Sequence, residues 1–206
     1  MSNRYQYLYG PVPSRRFGRS LGIDLIPHKA CCLDCIFCQL GPTHRKTITP
    51  QTYVATDQIK AELERWYREH GQADYIALSG SGEPTLHAAF GEVLAMVKAF
   101  KAIPAALLSN GALFHREEVR QAARQADVVK ISLSAWDQWS FEWINRPHPR
   151  LSFDRMMAGH KAFRREFEGE LWLEVFLVLG FNSRPEEVRK IADRAREIAP
   201  DRIHLN

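Results

Sequence analysis

Outside residues 31–38 the sequence contains no cysteine. That excludes a disulfide framework, which needs cysteines distributed along the chain. No stretch reaches the roughly 18 continuous apolar residues of a membrane-spanning helix, so no membrane span is expected. The opening Met1-Ser2-Asn3-Arg4-Tyr5 lacks the apolar run of a secretory signal, and a cytoplasmic location is the expectation. Low-complexity tracts, short repeats and a linker rich in Gly, Ser or Pro are also missing. With 206 residues, one domain over 1–206 with a sizeable core is expected. Net charge is lacking too, except at one end. The formal net charge of +4 lies within residues 1–30, where Arg4, Arg15, Arg16, Arg19 and Lys29 face only Asp24. A basic segment over 1–20 is suited to phosphate or carboxylate, RNA included, or to internal ion pairs.

What the chain does have is an alternation of apolar strands and amphipathic helices, the pattern of parallel α/β folds. Strands are predicted at Leu21–Ile26, Tyr75–Ser79, Ala105–Leu108, Val128–Leu133 and Leu171–Leu179, with a sixth beginning at Ile203-His204-Leu205. Between them, helical periodicity places Ile59, Leu63, Trp66 and Tyr67 on one face, and Phe90, Val93, Leu94, Val97 and Phe100 on another. A third helix is predicted at about Arg116–Gln125. Phe153, Met156, His160, Phe163 and Phe167 form a fourth stripe, and Val188, Ile191, Ala195 and Ile198 a fifth. Ser183 with Glu186 three residues on reads as a capping box opening the last helix. The chain stops at the sixth strand, so a shortened protein or a fragment with one uncovered side is expected.

The four cysteines lie in Cys31-Cys32-Leu33-Asp34-Cys35-Ile36-Phe37-Cys38. Cys31, Cys35 and Cys38 are spaced Cx3Cx2C, and three thiolates on a tight loop can each hold one iron of a [4Fe–4S] cluster. The fourth iron is then open to a substrate or cofactor. The alternative is a zinc site completed by His28 or His44; Cys32 reads as a bystander. In parallel α/β barrels functional groups gather at the C-terminal ends of strands. Those ends carry the cysteines, Ser79-Gly80-Ser81-Gly82-Glu83-Pro84, Ser109-Asn110-Gly111, Ser132 with Ser134, and Gly180-Phe181-Asn182.

Cx3Cx2C with an aromatic before the last cysteine, together with Gly10-Pro11-Val12-Pro13-Ser14-Arg15-Arg16, Gly18-Arg19-Ser20-Leu21-Gly22 and Ser79-Gly80-Ser81-Gly82-Glu83-Pro84-Thr85-Leu86, resembles the radical SAM superfamily, in its wyosine-synthetase-like branch. The resemblance implies a partial (β/α)6 barrel with Cys31, Cys35 and Cys38 on the cluster and S-adenosylmethionine (SAM) on the open iron. Ser81, Gly82 and Glu83 stand at the motif that holds the SAM amino group. Asn110, Ser132 and Ser134 are implied for carboxylate and ribose, and Gly180, Asn182 and the Phe37 backbone for the adenosine portion. The implied activity is reductive cleavage of SAM, fed by a donor such as flavodoxin or ferredoxin. The resulting 5′-deoxyadenosyl radical takes hydrogen from a substrate, RNA or a partner protein among the possibilities, in an oxygen-sensitive enzyme. Wyosine synthetases carry cysteines for a second cluster, which this chain lacks. The reading from another class is a non-catalytic zinc or iron–sulfur module that docks RNA or a partner protein. Arg146 and His148, and the arginines 15, 16 and 19, are candidate substrate contacts. Trp136, Trp139 and Trp143 are expected to pack a lid over the barrel.

Overall fold

The computed structural model describes residues 5–27, 29–69, 71–100 and 103–206. An N-terminal hairpin, β1 (Leu8–Ser14) and β2 (Gly18–Ile23), is antiparallel, pairing Leu8 with Ile23 and Ser14 with Gly18. From β2 onward the main sheet is parallel: β5 (Tyr75–Leu78), β6 (Ala105–Leu108), β7 (Val128–Ser132), β8 (Glu170–Val175) and β9 (Arg202–Leu205) follow in spatial order. A two-residue ladder, β3 (Ala30–Cys31) with β4 (Arg45–Lys46), stands apart from it.

Helices α1 (Thr56–Glu69), α2 (Phe90–Ala99), α3 (Glu117–Ala123), α5 (Phe153–Glu166) and α6 (Pro185–Ile198) provide the crossovers. Four of them bury most of the stripe expected from helical spacing: Ile59, Leu63 and Trp66 on α1, with Tyr67 only half-buried, and Phe153, Met156, His160 and Phe163 on α5. Six parallel strands with helices between them make the partial (β/α)6 barrel anticipated from the sequence.

Side chains on one face of a strand repeat every second residue, and this divides the interior into layers. At the N-terminal ends of the strands, Ala77, Ala106, Val128 and Trp172 form an apolar plug closed by Phe17, from the β1–β2 turn. Phe17 stacks on Trp172 at 4.8 Å and meets Tyr75 edge-on at 5.1 Å. Two residues along each strand, Lys130 and Glu174 form a charged layer. Two further on, Ser132 and Phe176 face the open, C-terminal end.

Several expectations are corrected. The first strand, expected at Leu21–Ile26, runs Gly18–Ile23 and pairs with β1, which the sequence reading did not include because Gly10, Pro11 and Pro13 interrupt any alternation. The fifth parallel strand ends at Val175, because Val178 N–H turns to the Asn182 side chain at 2.6 Å. The last helix is opened not by Ser183 with Glu186 but by Glu187, whose carboxylate accepts the Arg184 N–H at 2.9 Å. Ser183 Oγ instead accepts from Gly180 N–H. The tryptophans form no lid: Trp136 is buried, whereas Trp139 and Trp143 are about half exposed on α4 (Gln138–Asn145). That helix starts at a capping box between Asp137 and Ser140.

Candidate functional site

A cavity of about 410 Å³ opens at the C-terminal ends of the strands, within the range of small-molecule sites, roughly 300–1,000 Å³. Cys31, Cys35 and Cys38 line it, whereas Cys32 is fully buried behind it. The loop that carries them is fixed through its backbone. Asp34 N–H donates to Asn145 O and Ile36 N–H to Ile144 O, both at 2.9 Å, and His148 N–H donates to Cys32 O at 2.9 Å. The end of α4 and the following prolines therefore clamp the cysteine loop. The β3–β4 ladder holds its start, with Thr47 N–H on Cys31 O at 3.0 Å.

Two asparagines, Asn145 buried and Asn110 partly buried, donate to sulfur. Asn145 Nδ2 lies 3.2 Å from Cys35 Sγ, and Asn110 Nδ2 lies 3.4 Å from Cys31 Sγ. The Cys31 thiol is held below its ordinary pKa, chiefly by a hydrogen bond from Cys32. Burial pushes the Cys35 thiol up to about 12, against the Asn145 bond. Burial likewise raises Cys32 well above the ordinary thiol range.

The turn after β5 is tied to this loop. Glu83 N–H donates to Ala30 O at 3.0 Å. The buried Glu83 carboxylate accepts from Thr85 N–H (3.1 Å), Thr85 Oγ1 (2.6 Å), Ser109 Oγ (2.6 Å) and Asn110 N–H (2.8 Å). Burial raises its pKa and these donors oppose the rise. A Cβ on Gly82 would collide with Ile26 and the Ala30 carbonyl oxygen, so only glycine lets the turn sit against the cysteine loop. Ser81 N–H and Oγ both donate to Asp24, which orients the turn from β2's side.

Of the residues singled out from the sequence, Phe37, Gly82, Glu83, Asn110 and Ser132 line the cavity with the three cysteines. Phe37 stacks on Phe176 at 4.4 Å and forms one wall. Ser81, Ser134, Gly180 and Asn182 are not among the lining residues. Asn182 is buried, and its amide donates to Ser134 O at 2.8 Å and Phe176 O at 2.7 Å, bracing the loop after β8. Ser134 Oγ accepts from Phe176 N–H; Gly180 is exposed in the same loop with φ 81°. Arg146, in the left-handed conformation that ends α4, and His148 do not line the cavity either. His28 lies outside the described residues.

The cavity also draws on Lys29, Lys130, Asn145 and Glu174, which sequence reasoning passed over. Lys130 and Glu174 carried a signal: each is a charge in the middle of an apolar strand.

A family model described as the radical SAM superfamily matches residues 25–195. The chain belongs to the radical SAM superfamily. Among curated proteins, this radical SAM chain is 40% identical over 198 residues to one named GTPase Obg from Brachyspira hyodysenteriae, covering 96% of this chain and 29% of that protein. It is 35% identical to a UPF0026 protein of Methanocaldococcus jannaschii (96% and 62% covered) and 35% identical to one of Helicobacter pylori strain J99 (97% and 65%). The chain thus spans less than two thirds of each of these relatives. Among solved structures, the fold is similar to TYW1 with a lysine-pyruvate adduct bound, at TM-score 0.69 and 17% identity, covering 91% of this chain and 64% of that one. It is also similar to Streptococcus suis SuiB bound to S-adenosylmethionine, at TM-score 0.62 and 17% identity (88% and 40% covered). No helix among the described residues is long and apolar enough to cross a membrane.

Radical SAM proteins use a [4Fe–4S] cluster and SAM. The donor set here fits that pair. Three thiols face one cavity and a fourth is turned away, N–H donors point at sulfur, and a turn without side-chain bulk adjoins them. Among the described residues no three His, Cys, Asp or Glu side chains gather around a single metal ion; a cube needs no such convergence, since each cysteine takes a different iron.

Proposed function

We propose that this chain is a radical SAM enzyme domain that binds its cluster through Cys31, Cys35 and Cys38 and takes hydrogen from a substrate in the adjoining cavity. The observation that carries the reading is the partition of the thiols: the three with Cx3Cx2C spacing line the cavity and Cys32 does not. When bound, the cluster and SAM supply a carbon radical able to abstract hydrogen.

This chain's own residues bind, orient and exclude water. Asn145 and Asn110 stabilise thiolate at Cys35 and Cys31 by donating N–H to sulfur. Glu83 does not need to titrate; its carboxylate gathers Thr85, Ser109 and Asn110 so that the glycine turn and the β6 end share one edge of the cavity. Gly82 and Glu83, with the Asn110 and Ser132 side chains, are the contacts proposed for SAM. Ser81 acts through Asp24. Ser134, Gly180 and Asn182 shape the loop beside Phe176, and through it the wall on which Phe37 stacks. All 206 residues are assigned to one domain. A one-electron donor of the flavodoxin or ferredoxin kind is its proposed partner, and RNA or a protein side chain remains within the proposed substrate range.

Anaerobic reconstitution with iron and sulfide, followed by dithionite and SAM, tests this. We expect about four irons and four sulfides per chain and 5′-deoxyadenosine by mass spectrometry, with neither cluster nor product in Cys35→Ala. A single zinc, or an intact cluster that leaves SAM unbound, overturns the reading.

A further inference from the structure

A second cavity, of about 710 Å³, adjoins the first. Phe37, Gln39, Lys130, Glu174 and Phe176 line both, so a molecule in one lies beside a molecule in the other. The second cavity is completed by Arg15, Arg16, residues 177–179 of the loop after β8, and Asn206. Among its lining side chains the charges are unbalanced. Arg16 pairs with Glu174 Oε1 at 2.8 Å and Lys130 with Glu174 Oε2 at 2.7 Å, all three side chains being largely buried. One carboxylate thus faces two cations, and Arg15 adds a third.

The acceptor that the two arginines share is a neutral side-chain amide. Arg16 Nη2 lies 2.6 Å and Arg15 Nη2 3.1 Å from the same Asn206 Oδ1. Two guanidiniums converging on one amide oxygen mark a position where an anionic oxygen would be held more strongly, since a carboxylate or phosphate adds ionic attraction and bidentate geometry to bonds whose donors are already charged. The planar fork of arginine matches carboxylate and phosphate geometry alike. Arg19, by contrast, is turned to Asp74 at 3.7 Å and takes no part.

We propose that this second cavity is the substrate's anion subsite, in which Arg15, Arg16 and Lys130 hold a carboxylate or phosphate group and so present the rest of the substrate to the cofactor cavity. The inference rests on the radical SAM reading for what happens next door, but not for the binding itself. Glu174 sets its selectivity: it holds Arg16 and Lys130 in place, and its own charge favours a compact anion that reaches Arg15 from the open side.

The test titrates the reconstituted protein calorimetrically with inorganic phosphate and, separately, with acetate, at fixed ionic strength. One of the two is expected to saturate at one site per chain. Arg15→Gln and Arg16→Gln should each weaken that binding by about tenfold, the loss of one hydrogen bond to a charged group. Preference for phosphate assigns a phosphorylated or nucleic-acid substrate, and preference for acetate a carboxylic acid. Arg15 is exposed, so its variant decides alone if the Arg16 variant does not fold. Absence of saturation by either anion, or saturation unchanged by Arg15→Gln, overturns the subsite. A parallel SAM titration of the wild type separates the failures: loss of SAM binding counts against the proposed function, and the anion titrations judge the subsite.

Discussion

Asn145 Nδ2 sits 3.2 Å from Cys35 Sγ, and its backbone carbonyl accepts from Asp34, so one residue touches the cysteine loop twice. A donor to sulfur favours the reduced, more negative cluster. Replacing it in Asn145→Ala should lower the midpoint potential by about 20–40 mV, taking 0.5–1 kcal/mol for the bond and 59 mV per tenfold change for one electron. Redox titration followed by EPR measures this; an unmoved potential removes Asn145 from the tuning set. His160 offers a second test at this scale. It is fully buried, with Nε2 3.0 Å from Gly111 O and Nδ1 without a partner, and burial lowers its pKa to about 4. The unfolded chain therefore binds a proton near pH 6.5 that the native chain refuses. Stability conferred by the neutral imidazole is full above pH 6.5 and falls as the pH drops toward 4, by up to about 3 kcal/mol. Urea midpoints at pH 7 and pH 5 should diverge more for the wild type than for His160→Gln, and equal slopes would contradict the assignment.

Two elements work as wedges. The turn after β5 lies so close to the start of the cysteine loop that Gly82→Ala forces backbone apart at the Ala30 carbonyl, a strain of about 1–3 kcal/mol. Because the displaced atoms belong to the cysteine loop, iron content should fall along with the melting temperature; normal iron at reduced stability would uncouple the two. The β1–β2 turn is the other wedge. Phe17 fills the end of the barrel against Trp172, Tyr75 and Val128, and Phe17→Ala should cost about 3–5 kcal/mol, read from the shift in chemical denaturation.

Across the whole molecule, the turn that supplies Phe17 also supplies Arg16, which reaches from the β2 side of the sheet to Glu174 on β8 and to the Leu205 carbonyl on β9. The charged layer thus ties the two sides of an open barrel together. Glu174→Gln leaves Lys130 and Arg16 without their shared carboxylate, and removing one partner of a buried pair costs about 3–5 kcal/mol. For a chain of this size that is roughly 6–20 °C in melting temperature, at about 2–4 °C per kcal/mol. Calorimetry at low and high salt checks it, since a buried pair keeps most of its effect when exposed pairs are screened. A drop of less than about 2 °C would show that the layer does not hold the barrel.

Local sequence determined the periodic elements and the proposed donor set. Four helical stripes, a further helix and six parallel strands were legible from apolar period and apolar runs, and the Cx3Cx2C spacing named three candidate ligands because chain proximity alone can place them. Helix α4 was not legible: its tryptophans face outward, and its role, accepting the N–H groups of Asp34 and Ile36, exists only across more than a hundred residues of sequence. The tertiary structure alone decided which polar strand-end residues face the cavity and which, like Asn182 and Ser134, are consumed by backbone. It also brought Arg16, Lys130 and Glu174 together from three distant segments. Hydrophobic period reports which face of an element is covered, whereas a charged layer inside a barrel depends on which strands become neighbours, and only the closed packing of the whole chain fixes that.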